Sequence, residues 1–382
     1  MKKTLKSIPF SVTLKYTQLA QEMQSKGMDV IRLTAGEPDF DTPHEVSLSA
    51  KLAIDEGFTK YTPASGIPEL RKGISELLKT KYHLDYAPSQ IIVTNGGKQA
   101  LFQSLYAITN PSDEIIVLTP DWVSYVPQIE MCGCQAVLVE TDADNDFQPN
   151  ILQIAEKVTE RTRGIIINSP NNPTGTVYTD QTLEKIAELA LEKDLWVISD
   201  EIYANLVYDG THVSIGSLGK IIEKTITING FSKSHAMTGW RCGYVAAPEA
   251  IAKEIGKMQS HLSSNINSIT QKAALKALLV DTEYMKEAFE KRRAIVSEAL
   301  DNIGIDYCHP AGAFYFFMDF NWVKDAYQSD DDLTMDLIQN YSLAMVPGSA
   351  FHKPWYMRLS YASSEEELKK AMSILQDFKN RH

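Results

Sequence analysis

Ser232–Cys242, SKSHAMTGWRC, lies between two short apolar runs, Thr225–Asn229 (TITIN) and Gly243–Ala246 (GYVA). Both runs are rich enough in β-forming residues to be strands. The eleven residues between them leave no room for a crossover helix, so the second strand is expected to run antiparallel to the first. The connection also carries chemistry. Lys233 follows Ser232, and Arg241 stands eight residues on, after a Gly239-Trp240 step. An amine can condense with an aldehyde, and a hydroxyl and a guanidinium can hold a dianion beside it. Taken alone, a lysine in such a place is more often a solvated surface residue.

Upstream, the spacing of apolar runs is wider. Gln90–Thr94, Glu114–Leu118, Ala136–Glu140, Gly164–Asn168 and Leu195–Ser199 read as strands, with helical patterns at Lys98–Ile108, Gln181–Glu192 and His212–Leu218 between them. Strands alternating with helices imply βαβ units and a mostly parallel sheet covered on both faces. Together with the two runs around Lys233 this makes seven strands. From Ile269 the chain turns helical, over Thr270–Leu279 and Thr282–Asn302, until Pro310 and Gly312 interrupt it. Two β-type runs, Ala313–Asp319 and Trp355–Tyr361, precede a terminal helix near Ser364, where SSEEEL offers a capping box. Residues 1–40 hold a helix at Ser11–Ser25 and an apolar run ending in AGEPDF, and are expected to pack on the C-terminal unit. The fold class is therefore α/β: a large domain at 41–280 and a smaller α+β domain made of 1–40 and 281–382.

Composition narrows the function. The chain has 382 residues, 44% hydrophobic and 23% charged, as in ordinary globular proteins. Its net charge of −12, with no basic run, argues against a nucleic-acid or anionic-membrane surface. No apolar stretch reaches membrane-spanning length, and the basic start MKKTLKSIPF lacks a signal-length apolar segment, so a cytoplasmic location is expected. Cys132, Cys134, Cys242 and Cys308 have neither a disulfide-scaffold pattern nor zinc-site spacing.

Four groups of polar residues fall at expected strand ends, where open α/β sheets bind ligands. Gly96-Gly97-Lys98 opens a helix, so backbone amides and the helix N-terminus can meet a phosphate, although an ordinary strand–helix turn reads the same. No GxxxxGK[ST] is present, which excludes a nucleotide P-loop. Ser169–Gly175, SPNNPTG, uses two prolines and a glycine to hold the Asn172 amide at the sheet edge. In Ser199–Tyr203, SDEIY, Asp200 sits at a strand tip and Tyr203 falls on the same side if a helical turn begins there. A helix cap for Asp200 and a core aromatic for Tyr203 are the plainer accounts. A metal on Asp200 and Glu201 is disfavoured because adjacent side chains diverge and no histidine lies near in sequence. Arg358, inside the apolar run MRLSYA, is costly to bury without a partner, either a substrate carboxylate or one of the chain's own acids.

These residues belong to a longer series in fixed order: AGEPDF, KYTPASGIPELR, NGGKQAL, PDWVSY, NSPNNPTG, SDEIY, NGFSKSHAMTGWRCGY and MRLSYASSEE, from residue 35 to 366. The series resembles the class I/II pyridoxal-phosphate aminotransferases of fold type I, most closely their bacterial aspartate aminotransferase branch. The resemblance implies roles position by position. Lys233 carries the cofactor and moves the proton at Cα; Asp200 pairs with the pyridine nitrogen; Tyr203 and Asn172 bond the ring's phenolic oxygen. Ser232, Arg241 and the amides of Gly97 and Lys98 hold the phosphate, with Tyr61 reaching in from a neighbouring subunit of a homodimer. Trp122 stacks on the ring. Arg358, with Asn172, Trp122 and the backbone of Gly36, clamps the α-carboxylate. One departure stands out: Gly230 occupies a position where many relatives have a phosphate-binding serine.

In aspartate-preferring relatives with the GGKQ string the lysine meets the distal carboxylate, which makes Lys98 the substrate-defining residue and implies aspartate and glutamate with their oxo acids. A lysine in a helix's first turn opposes the macrodipole, which itself suggests a special purpose. Alternatives on the same scaffold are a transaminase of aromatic or neutral amino acids, a β-lyase or a decarboxylase. A ligand-sensing aminotransferase-like domain of a regulator would need a DNA-binding segment, for which there is no room before Ser11. A Rossmann dehydrogenase would need a GxGxxG after an early strand, which is absent.

Overall fold

A computed structural model describes residues 8–382. The basic residues 1–7, and with them the start of the 1–40 segment, lie outside the described residues. Strand β1 (Ile31–Arg32) comes first and stands apart from the main sheet. Seven strands then build one sheet: β2 (Ile91–Thr94), β3 (Glu114–Thr119), β4 (Gln135–Glu140), β5 (Thr162–Asn168), β6 (Trp196–Asp200), β7 (Thr225–Gly230) and β8 (Gly243–Ala246). Their order is β2-β8-β7-β6-β5-β3-β4. All neighbours are parallel except β8, which is antiparallel to both β7 and β2. The short SKSHAMTGWRC connection thus turns the chain back as its length required.

Alternation in β3 shows why the middle of the sheet is apolar. Ile115 and Val117 face a layer containing Leu101, Leu105 and Ile255, whereas Ile116 and Leu118 face Leu183, Ile186 and Ala190. Both faces of the central part of β3 are buried, so its four middle residues are all apolar instead of alternating with polar ones. Helix Gly97–Ile108 lies on one face and Asp180–Glu192 on the other, the latter capped by Thr179 Oγ1 accepting from the Thr182 amide at 3.2 Å.

The later strands are β9 (Tyr307–Cys308), β10 (Tyr315–Asp319), β11 (Leu343–Ala344), β12 (Val346–Pro347) and β13 (Tyr356–Ser360). Four of them form an antiparallel sheet in the order β12-β13-β10-β9, and β1 pairs in parallel with β11. The short strand of the N-terminal segment thus pairs with one from the C-terminal region. Phe316, Met318 and Leu359 pack against Phe289 and Leu300 of helix Glu283–Ile303 and Leu375 and Phe378 of helix Glu365–Arg381. The terminal helix starts at its predicted cap, with Ser364 Oγ accepting from the Glu367 amide at 3.2 Å. The reciprocal arm differs from a capping box, because Glu367 accepts from the Ser363 hydroxyl instead.

Two expectations need correction. His212–Leu218 is not an α-helix but runs into two short 3₁₀ turns, Ile215–Ser217 and Gly219–Lys224. Ser214 is tied to Glu201 Oε1 at 2.6 Å, and Gly219 adopts φ +65°, so the segment is held by a tertiary contact and then broken. The run at Ala313 begins its strand two residues late. Ala313 adopts φ +57° and donates its amide to Leu206 O at 2.8 Å, outside the sheet ladder. No helix among the described residues is long and apolar enough to cross a membrane.

Candidate active site

Strands β5, β6 and β7 are parallel neighbours, so their carboxyl ends deliver Asn168, Asp200 and Gly230 to one edge of the sheet. A cavity of about 430 Å³ opens there, closed on its far side by residues around β1 and β13. It is lined by Gly36, Gly97, Lys98, Trp122, Asn172, Asp200, Tyr203, Ser232, Lys233, Arg241 and Arg358. Eleven of the twelve predicted site residues are thereby brought together. The twelfth, Tyr61, does not line the cavity within this chain and is 89% exposed.

Asp200 occupies the last position of β6 and is buried. Its Oδ2 accepts from the Tyr125 hydroxyl at 2.8 Å, and its Oδ1 accepts from the Ile202 amide at 3.3 Å. Burial pushes the carboxyl up to about 6 against these two bonds. Lys233 is half-buried, and its Nζ donates to Gly36 O. Burial brings the amine down to about 8, with Glu37 opposing and the Arg358 and Arg241 charges assisting. Lys98 is lowered by burial and then by the Arg241 charge, and its Nζ lies 4.9 Å from the Trp122 ring centre.

Arg358 is 2% exposed. Its Nη1 donates to Asn172 Oδ1 at 2.8 Å and its Nη2 to Thr34 O at 2.7 Å, while Nε has no partner. The guanidinium lies 4.5 Å from the Tyr315 ring centre and 5.0 Å from that of Phe351. Among the described residues no carboxylate pairs with it, so the account by an internal ion pair does not hold. With Asn172 Oδ1 taken by Arg358, the side chain keeps its NH₂ as a donor to the cavity. Tyr203 is both a core aromatic and a site residue. Its ring packs edge-on against Phe314 at 5.5 Å, and its hydroxyl meets that of Tyr315 at 2.7 Å.

Backbone glycines shape the anion end. Gly96 adopts φ +78°, and a Cβ there would stand 2.6 Å from Arg241 Nη2. Arg241 itself is in the left-handed region at φ +57°, its Nη1 bound to Thr238 O at 2.8 Å. A Cβ on Gly230 would meet Cys242 O and Gly243 Cα, each at 2.8 Å. The close β7–β8 approach thus explains why a serine is not found at Gly230. Sequence reasoning did not single out Tyr125, Tyr315 or Thr34, nor the Ser11, Thr13 and Thr17 side of the first helix, which also line or support the cavity. Tyr125 was within reach, lying three residues after Trp122 in PDWVSY.

The residues fit pyridoxal phosphate. A buried carboxyl, an amine near 8 and a glycine-lined anion end beside Ser232 and Arg241 match a cationic ring nitrogen, an aldehyde and a phosphate. Comparison with known proteins agrees. A family model described as aminotransferase class I and II matches residues 28–375. An aspartate aminotransferase of Thermotoga maritima is 43% identical, covering 98% of each chain. A probable aspartate/prephenate aminotransferase of Aquifex aeolicus is 45% identical over 94% of this chain and 93% of its own. The solved aspartate aminotransferase of Thermus thermophilus with maleate superposes with a TM-score of 0.95, at 39% identity and 99% coverage of both chains.

Proposed function

The chain belongs to the class I and II aminotransferases, and from that premise we propose that it exchanges the amino group between aspartate or glutamate and their oxo acids on pyridoxal phosphate. The observation that carries the dicarboxylic choice is a pair of cations in one cavity, Arg358 and Lys98, neither bound to a carboxylate among the described residues. One carboxylate of the substrate occupies the Arg358 fork beside Asn172, Trp122 and Gly36, and the other meets Lys98.

When bound, the cofactor supplies an electron sink for the charge left at Cα. Asp200, held by Tyr125, keeps the ring nitrogen protonated. Tyr203 and the Asn172 amide donate to the phenolic oxygen, and Trp122 covers the ring. Ser232, Arg241 and the amides of Gly97 and Lys98 hold the phosphate. Lys233 Nζ takes the proton from Cα and returns it on the opposite side of the exchange, which its lowered basicity near neutrality favours.

We further assign residues 41–280 to a cofactor-binding domain, and 1–40 with 281–382 to a smaller one. The protein is read as a cytoplasmic homodimer in which the exposed Tyr61 completes the partner's phosphate site. Visible absorption tests the whole reading. The cofactor band of the purified protein should bleach with aspartate and return with 2-oxoglutarate. A band indifferent to aspartate would retain the cofactor and remove the substrate. Bleaching by aromatic donors alone would favour the aromatic alternative.

A further inference from the structure

One ionic contact joins the two walls of the cavity without lining it. Asp121 directly precedes Trp122 and is 1% exposed; its Oδ1 lies 2.6 Å from His352 Nδ1, and its Oδ2 has no partner. Its amide also donates to Phe351 O at 3.3 Å. His352 follows the 3₁₀ turn Gly348–Phe351, whose Phe351 ring packs on the Arg358 guanidinium. The residue adopts φ +59°, a left-handed conformation that is costly for any residue but glycine. What sets the place apart is the contact itself: an imidazole held against a buried carboxylate, beside a backbone bond between the same two segments.

We propose that the Asp121–His352 pair is a positioning element for carboxylate binding, tying the Trp122 loop to the loop packed on Arg358, so that affinity for the substrate carboxylates follows the charge on His352. The proposal rests on the roles of Trp122 and Arg358 given above. The groups around the pair are Asp121 itself, Tyr125 on the Trp122 side, Lys353 next in the chain, and Asp330. Asp330 accepts from the Ser349 amide at 2.8 Å and the Trp355 amide at 3.3 Å, anchoring the same loop. Of these, Asp121 acts most on His352: its bond and charge raise the imidazole above the ordinary histidine value. Burial in turn raises the Asp121 carboxyl above its ordinary value, so the pair is ionic between that value and the raised value of His352. As pH climbs through the latter, His352 becomes neutral, Asp121 keeps at most a neutral hydrogen bond from the imidazole and loses its counter-charge in a buried place, and the tie weakens.

The test uses holoenzyme and succinate, a non-reacting dicarboxylate, with binding followed by tryptophan fluorescence from about pH 6 to about pH 9. The double variant Asp121→Asn/His352→Gly removes both charges together, so neither is left buried alone, and glycine accepts the φ of +59° at that position. The native chain should lose about tenfold in succinate affinity relative to the double variant as pH rises across this range, and KM for aspartate should follow while kcat changes less than about twofold. His352→Gln, a neutral donor, should bind as the native chain does at high pH at every pH. Matching pH profiles for native and double variant, or a kcat loss as large as the KM rise, would overturn the pair's role. A native chain that binds no succinate at any pH would instead overturn the dicarboxylate reading, and this inference with it.

Discussion

The two walls of the cavity treat charge in opposite ways. At the strand tips of the large sheet, burial moves Asp200 up to about 6 and Lys233 down to about 8, bringing an acid and a base towards neutrality from both sides. Across the cavity Arg358 is buried more deeply than Lys233, yet it is surrounded by neutral acceptors, Asn172 Oδ1 and Thr34 O, and by the faces of Tyr315 and Phe351. A guanidinium keeps its proton under burial that deprotonates an amine. On the proposed reading, the first wall exchanges protons and the second holds a fixed charge. Reaction and recognition are thus divided between residues of different titration chemistry as well as between different parts of the fold.

The largest break in this contrast should come from Lys233→Ala. Loss of the base is expected to lower kcat by roughly 10⁴-fold or more, with a far smaller change in substrate affinity. Single-turnover kinetics with aspartate would measure it. A variant retaining a tenth of native kcat would mean that another group moves the proton. On the opposite wall, Arg358→Lys keeps the charge but loses the planar fork. We expect kcat/KM to fall by ~2–3 kcal/mol, roughly 30–150-fold, for every amino-acid donor alike, since all share the α-carboxylate. A loss confined to aspartate would place Arg358 at the distal carboxylate instead.

The strand-tip wall was legible in the sequence because its residues sit next to strong local signals. Asp200, Lys233 and the SPNNPTG turn each follow a β-branched run, and parallel pairing of those runs then brings them together without further information. The antiparallel turn of Gly243–Ala246 was equally readable from chain length alone. What stayed hidden depends on contacts between distant segments. Tyr315 reaches Tyr203 across 112 positions, Asp121 reaches His352 across 231, and Arg358 reaches Thr34 across 324. His212–Leu218 misled for the same reason: its helical periodicity is overridden by the Ser214–Glu201 bond. Arg358 could be recognised as a buried cation, but which groups surround it could not be read from its neighbours in the chain.

Lys98 sharpens the comparison, because it is an amine placed on the recognition side of the chemistry. Its side chain is exposed, yet partial desolvation and the Arg241 charge lower its pKa; it stacks at 4.9 Å on Trp122 and has no acid beside it among the described residues. If it binds the distal carboxylate, Lys98→Ala should cost ~1.5–3 kcal/mol in kcat/KM for aspartate and far less for alanine. Steady-state kinetics on both donors decides this. Equal losses would make Lys98 part of the phosphate end rather than a specificity residue.

The smallest effect expected concerns stability in the absence of cofactor, and its sign is opposite to the effect on catalysis. The carboxyl of Asp200 lies at about 6 in the folded chain against 3.8 for the exposed group. Between those values the folded protein binds more protons than the unfolded one, so its stability falls as pH rises through the interval and the deficit persists at neutral pH. The shift of a buried carboxylate of this size amounts to roughly 3 kcal/mol at most. Asp200→Asn removes the charge, but an amide cannot accept well from both Tyr125 and Ile202, which offsets part of the gain. The cofactor-free variant should therefore be more stable than the native chain by ~1 kcal/mol near pH 8, with the difference vanishing below about pH 4, where the carboxyl of the unfolded chain is protonated as well. Urea unfolding of both cofactor-free proteins at the two pH values measures it. A variant less stable at pH 8 would mean that the bonds from Tyr125 and Ile202 outweigh the burial of charge, and that the strand-tip wall is settled before the cofactor arrives. A more stable one would mean that this wall is held in tension until a cation at the ring nitrogen relieves it, which the Arg358 wall, with its charge already matched by neutral acceptors, does not need.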